Sequence, residues 1–195
     1  MESELSSRAS EIIARAQALL AAGGYNGFSY ADISASVGIS KASIHHHFPS
    51  KADLVQTVVK LYREQARTGL AAMESQISDP LAQLQAYTAY WDACIRDGSS
   101  SFCVCAMLAA ELPSIPEQVA EEVRGHFCDL AAWLAGVLEK GAARGVFRLR
   151  AEPEPEAMAL MATVHGAMLS ARALGDPEAF AAIVGASVER LTRAA

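Results

Sequence analysis

The sequence predicts an all-α protein of about nine helices: an N-terminal three-helix head containing a helix-turn-helix, then a larger helical remainder. Three observations predict it. Hydrophobic residues make up 52% of the 195 positions, much of this Ala, Leu and Val, and aromatics only 7%. Ala and Leu are strong helix formers. Apolar residues recur at spacings of three and four, with no convincing strand pattern. Ser, Asp, Pro and Gly punctuate the chain where helix starts and stops belong.

The first helix carries Ile12, Ala16, Leu19 and Leu20 on one stripe and ends at Gly23-Gly24. Ser29-Tyr30-Ala31-Asp32 reads as a capping box that opens the second, with Ile33 and Val37 inward. Gly38 permits a tight turn, Ser40 caps a third helix, and Ser50 a fourth. That fourth runs from Lys51 to about Met73 with Leu54, Val58, Leu61 and Tyr62 on one face. Asp79-Pro80 and Asp176-Pro177 each pair an N-cap with Pro at the first helical position. The first opens a helix to about Arg96. After the loop Asp97-Gly98-Ser99-Ser100, a short helix spans about Ser101 to Leu112 and stops at Pro113. Ser114-Ile115-Pro116-Glu117 starts a long helix to about Arg144. Phe147 to Pro155 reads as a loop. Two last helices cover Glu156–Leu174 and Pro177–Arg193, the first striped by Leu160, Met161, Val164 and Met168. The second is striped by Phe180, Ile183, Val184, Val188 and Leu191. By function the chain divides into residues 1–50 and residues 51–195, with a hinge near Pro49 and a fourth helix that belongs to both.

Composition bounds the class. No apolar run looks long enough to cross a bilayer, and no basic-then-apolar leader precedes Glu11, so the chain reads as soluble and cytoplasmic. Four cysteines, Cys94, Cys103, Cys105 and Cys128, are too few for a disulfide framework. The net charge of −6 argues against a generic nucleic-acid binder, but its distribution is uneven. Residues 1–68 hold seven Lys and Arg against six Asp and Glu; residues 69–195 hold nine against sixteen.

The helix from Ser40 to about His47 has the design of one that lies in a DNA groove. Its leading turn offers Lys41, Ala42 and Ser43. Lys reaches a guanine edge or a phosphate, Ser takes either hydrogen-bond role, and Ala touches a thymine methyl. The helix starts near Ser29-Tyr30 and Lys51 present free backbone N–H groups suited to phosphates. A buried helical hairpin with solvated caps fits the same spacing. His45-His46-His47 does not read as a metal site, because consecutive helical residues point about 100° apart.

The stretch resembles the DNA-binding domain of the TetR family of bacterial transcriptional repressors. Gly24 to Ser29, Val37-Gly38-Ile39-Ser40, His47-Phe48 and Ser50-Lys51 match that family's pattern over about residues 10–56. Where the family has a phosphate-contacting Tyr, this chain has His45. The resemblance implies double-stranded operator DNA of pseudo-palindromic sequence as partner, with His47 at the phosphate boundary and Phe48 under the recognition helix. It also implies a C-terminal effector domain and a homodimer through the last two helices. Small residues there (Gly166, Ala167, Ser170, Ala171, Gly185, Ala186) allow close approach.

The segment Ser101 to Glu111 is similar to the stretch carrying the reactive cysteine in TetR-like repressors that answer electrophiles and hypochlorous acid. Cys103, placed in the first turn of a helix, has the surroundings of an activated thiol. Cys105, two residues on, faces away if the helix persists. The role of small core residue, the commoner one for free Cys, fits both better, and it fits Cys94. A thiolate-rich metal site joining His126 and Cys128 to them is a third reading. An effector cavity would draw on Tyr87, Tyr90, Trp91, Phe102, Met107, Phe127, Trp133, Met161 and His165, most of which could equally be core. No nucleophile elbow, phosphate loop or hydrolase metal motif appears, so no catalytic residue, metal or cofactor is assigned. The rival classes are a cysteine-dependent enzyme, with Cys103 or Cys128 beside His126 or His165, and a helical protein-binding scaffold.

Overall fold

The computed structural model describes residues 7–98 and 102–192. Ser99, Ser100, Ser101 and Arg193, which the sequence reading used as loop, helix start and helix end, lie outside the described residues. Among the described residues there are nine α-helices, one short 3₁₀ turn and no strand. They form two compact units: residues 1–64 with 103–126, and residues 65–102 with 127–195. The boundary cuts one helix and returns a later segment to the first unit, which no reading by position along the chain anticipates.

In the first unit, α1 (Ser7–Gly23) buries Ile12, Ala16 and Leu20 completely, and Ile13 beside them. α2 (Tyr30–Val37) opens on the expected box: the Ser29 hydroxyl accepts from the Ala31 N–H, and the Asp32 carboxylate accepts from the Ser29 N–H at 2.7 Å. Gly38 ends it at φ 71°, a left-handed conformation that glycine adopts without a Cβ penalty. α3 (Lys41–His47) follows, capped by Ser40, whose hydroxyl accepts from the Ser43 N–H at 3.1 Å. α4 (Lys51–Gln76) starts on a second reciprocal box, Ser50 with Asp53. It buries Leu54, Val55, Val58 and Val59 fully. Leu61 and Tyr62, expected on that face, are half-buried. The unit is completed by α6 (Val104–Ala109) and the start of α7 (Glu117–Ala143), with α1 packed on both α2 and α6.

α6 (Val104–Ala109) is shorter than the sequence predicts, with Cys103 as its N-cap rather than a residue of its first turn. A 3₁₀ turn, Leu112–Ser114, carries Pro113 into α7 (Glu117–Ala143).

In the second unit, α5 (Pro80–Asp97) has Asp79 capping the Ala82 N–H at 2.8 Å and Pro80 at its first position. α8 (Pro153–Leu174) begins three residues before the expected Glu156. Its prolines sit in the first turn, where a missing N–H costs nothing. α9 (Glu178–Thr192) packs along α8 and also touches α5. Ala157, Leu160, Val164, Ala167 and Met168 from α8 and Phe180 and Val184 from α9 form the core between them. Ile183, expected inside, is exposed, as are Met158, Leu169 and Leu174. Among the described residues α8 is the one helix with the length and mean hydropathy, 1.2, of a membrane span, which the sequence reading did not expect. Its buried side serves the packing just described.

Candidate functional site

The exposed leading turn of α3 is the first site. Lys41 and Ala42 are exposed and Ser43 half-exposed, while Ile44 is fully buried and anchors the helix from behind. Phe48 is buried below it. No acidic residue occupies the first turn. The helix therefore shows small, polar or cationic groups outward and is held by two apolar residues inward, which suits contact with base edges. His45 and His46 are exposed and His47 is half-buried; the His46 and His47 rings meet edge to face at 5.5 Å. His45 packs edge-on against Tyr30 at 4.8 Å and its Nδ1 lies 3.1 Å from the Pro49 carbonyl oxygen.

Two nominated residues are turned inward. Tyr30 is buried, and its hydroxyl donates to the Phe48 carbonyl at 2.9 Å. Burial, then the nearby Asp53 and Tyr25, push its phenol up to about 12. The Lys51 ammonium donates to the Phe28 carbonyl and stands over the Tyr25 and Phe28 rings at 4.7 and 4.3 Å. Burial lowers its pKa.

A third tie escaped the sequence reading. The Glu111 carboxylate accepts from the Tyr25 N–H at 2.6 Å and from the backbone and side chain of Asn26. It also fills the space beside Gly24, φ 73°, where a Cβ would collide with it. Glu111 thus fixes the turn between α1 and α2 from the end of α6. Nothing in its local sequence distinguishes it from a solvated acid; the partner is 85 residues away.

The second site is a sulfur cluster in the same unit. Cys103 and Cys105 are fully buried. The Tyr62 hydroxyl of α4 donates to the Cys103 sulfur at 3.4 Å, and Nε2 of the buried His126 lies 3.9 Å from it. The condition for the two cysteines to face apart, a helix running through both, is not met. Cys103 has extended backbone, φ −66° and ψ 123°, so helical geometry does not separate the pair. The Cys105 thiol is within hydrogen-bonding reach of Cys103, and that bond, then burial, holds it protonated well above the ordinary thiol range. Cys128 is exposed and belongs to the second unit, and no group of three His, Cys, Asp or Glu residues among the described residues is arranged for a metal.

Comparison with known proteins decides the family. The profile described as "Bacterial regulatory proteins, tetR family" matches residues 12–58, and "Tetracyclin repressor-like, C-terminal domain" matches residues 80–186. The chain belongs to the TetR family. It is a DNA-binding transcriptional regulator of the repressor type. A TetR-family regulator from Agrobacterium tumefaciens is 55% identical, with TM-score 0.94 over 96% of this chain and 98% of that one. A TetR regulator from Legionella pneumophila is 26% identical, with TM-score 0.86 over 97% and 100%. The HTH-type transcriptional regulator CymR of Pseudomonas putida is 29% identical over 140 residues, 69% of this chain and 67% of that protein.

In this TetR-family regulator the nominated effector residues are divided between the two units. Tyr87 and Trp91 are buried in α5, and the Tyr87 ring meets Trp133 at 5.5 Å. The half-buried rings of Phe127 and His165 pair at 5.2 Å. Phe102 lies under the Arg172 guanidinium. Met107 is half-buried in α6, in the other unit. The Trp133 indole nitrogen, Gln83 Oε1 and Asp92 Oδ1 are buried without a hydrogen-bond partner, so the second unit holds polar groups a ligand could satisfy. An open groove of about 600 Å³ lies between α5 and α9, and none of the nominated residues lines it.

Proposed function

We propose that this regulator is a homodimeric repressor that reads a pseudo-palindromic operator through the leading turn of α3 and is released by chemistry at the Cys103 cluster. The observation that carries the DNA reading is the exposed Lys41-Ala42-Ser43 turn over buried Ile44. Ser40 to Ser43 meet base edges. At the starts of α2 and α4, where Asp32 and Asp53 already accept from the Ser29 and Ser50 N–H groups, the next backbone N–H groups, those of Tyr30 and Lys51, meet phosphates, and His45, His46 and His47 flank the groove. Residues 1–50 are the reading portion and residues 51–195 the responding and dimerising portion.

Two copies meet through α8 and α9. The exposed Met158, Leu169, Leu174 and Ile183 support this, since large apolar side chains on two adjacent helices call for a cover. A two-fold axis then sets the recognition helices about 34 Å, one DNA turn, or a multiple apart. The regulator acts on DNA in the cytoplasm and catalyses no reaction of its own.

Release is a population shift. The modified state must differ in energy between the DNA-competent and DNA-incompetent arrangements. What supports Cys103 here is that its sulfur accepts from the Tyr62 hydroxyl of α4 while its backbone caps α6. A ligand that satisfies Trp133 Nε1 in the second unit is the other route to the same shift. The test is fluorescence anisotropy on duplexes from the gene's own upstream region. Hypochlorous acid is expected to raise the apparent Kd of the wild type and leave Cys103→Ser bound. Equal release in both would remove Cys103 from the mechanism.

A further inference from the structure

We propose that a pocket at one end of the α8–α9 pair binds a small dianion of phosphate chemistry, inorganic phosphate or a phosphate monoester, independently of how the operator or Cys103 is used. The pocket holds about 190 Å³ and lies wholly within the second unit. Arg148 and Arg150 line it from the segment before α8, Glu156 and Thr163 from α8, and Ser187 and Arg190 from α9. Pockets for drug-sized molecules begin at about 300 Å³, so the occupant is an ion or a short ester of one.

Charge calls for the anion. Residues 69–195 hold nine Lys and Arg against sixteen Asp and Glu, and three of the nine line this one pocket. Elsewhere in the unit Arg96 pairs with Asp92 and Glu178, and Lys140 with Glu74. Arg148, Arg150 and Arg190 make no ion pair among the described residues. The acid in the wall, Glu156, is already engaged: it accepts from the Arg150 N–H at 2.8 Å and the Ala151 N–H at 3.1 Å. Three positive charges against one negative leave the pocket cationic, and gathered like charges repel until a counter-ion shares their space. Guanidinium forks match phosphate oxygens in pairs.

The backbone fixes where these side chains start. The Arg148 N–H donates to the Leu191 carbonyl of α9 at 2.8 Å, Arg150 is tied to α8 through Glu156, and Arg190 belongs to α9 itself. Ser187 adds a second, independent sign of a ligand. It is only 8% exposed, it lines the pocket, and its hydroxyl has no hydrogen-bond partner among the described residues. Thr163, by contrast, donates its hydroxyl to the Ala159 carbonyl at 2.8 Å. A buried hydroxyl left without a partner costs free energy that a ligand oxygen recovers, with Ser187 donating and the arginines supplying the charge.

Arg190 follows Ile183 by about two helical turns on the same side of α9, the side proposed for the dimer, so the test uses the full-length protein as it assembles in solution. Isothermal titration calorimetry is run in phosphate-free buffer of low ionic strength, with inorganic phosphate and phenyl phosphate as separate titrants. Saturable binding at one site per chain is expected, and the tighter titrant tells a free ion from an ester. Arg148→Gln and Arg190→Gln are each expected to raise Kd roughly tenfold, the size of one charge-assisted hydrogen bond, and Ser187→Ala about threefold or more. Both arginine side chains are exposed, so the melting temperature is expected to stay as in the wild type. Heat from neither titrant saturating below about 10 mM, or a Kd unmoved by both arginine substitutions, would overturn the site. Binding that Ser187→Ala leaves unchanged would reduce it to attraction by surface charge and overturn the pocket as well.

Discussion

Lys41 is exposed at the head of α3 with no acidic neighbour in its turn, and it adds only the smallest of the influences that lower the Asp32 carboxyl pKa. Lys41→Ala is therefore expected to weaken operator binding by about 1–3 kcal/mol and to leave thermal stability unchanged. Tyr30 is the opposite case: buried, its hydroxyl on the Phe48 carbonyl, it serves the same surface from beneath. Tyr30→Phe removes one buried hydrogen bond and is expected to cost about 1 kcal/mol of stability, read by urea denaturation. Asp32 and Asp53 accept from Ser29 and Ser50, and these bonds lower both carboxyl pKa values. A carboxyl with a lowered folded-state pKa stabilises at pH above its unfolded value and loses that contribution as pH falls through the folded one. The caps of α2 and α4 should thus weaken from about pH 4 downward. Far-UV circular dichroism in acid would show this as a shift that Asp32→Asn and Asp53→Asn remove.

At the scale of elements, the turn between α2 and α3 depends on Gly38. Its φ is 71° with nothing within 4 Å of an added Cβ, so Gly38→Ala brings backbone strain without a clash. A loss of about 1–2 kcal/mol is expected in thermal unfolding. This element was legible in the sequence because its determinants are local. Ser29 with Asp32, Gly38, Ser40 and the buried Ile33 and Ile44 all lie within one short stretch. α6 was not legible in the same way. Its start at Val104 puts Cys103 outside the helix as its N-cap, where helical spacing no longer sets its direction relative to Cys105. Glu111, Tyr62 and His126 were hidden for a related reason: each acquires its meaning from a partner many residues away, on another helix. The same holds for Lys51, whose neighbours predict a phosphate contact and whose ammonium instead meets the Phe28 carbonyl.

At the scale of the whole molecule, function requires two copies. The exposed apolar side chains of α8 and α9 are where charge should be least tolerated. Leu169→Glu is expected to shift the protein from dimer to monomer in analytical ultracentrifugation and to abolish tight binding to a two-half-site duplex; a dimer that persists would move the interface elsewhere. The central claim, that the front of α3 reads DNA, is tested most directly by operator anisotropy over a salt series with wild type and Lys41→Ala. The account expects tight, salt-sensitive binding whose affinity falls with the substitution and whose salt slope drops by about one. Binding indifferent to Lys41→Ala, or no binding to any upstream duplex, would contradict it.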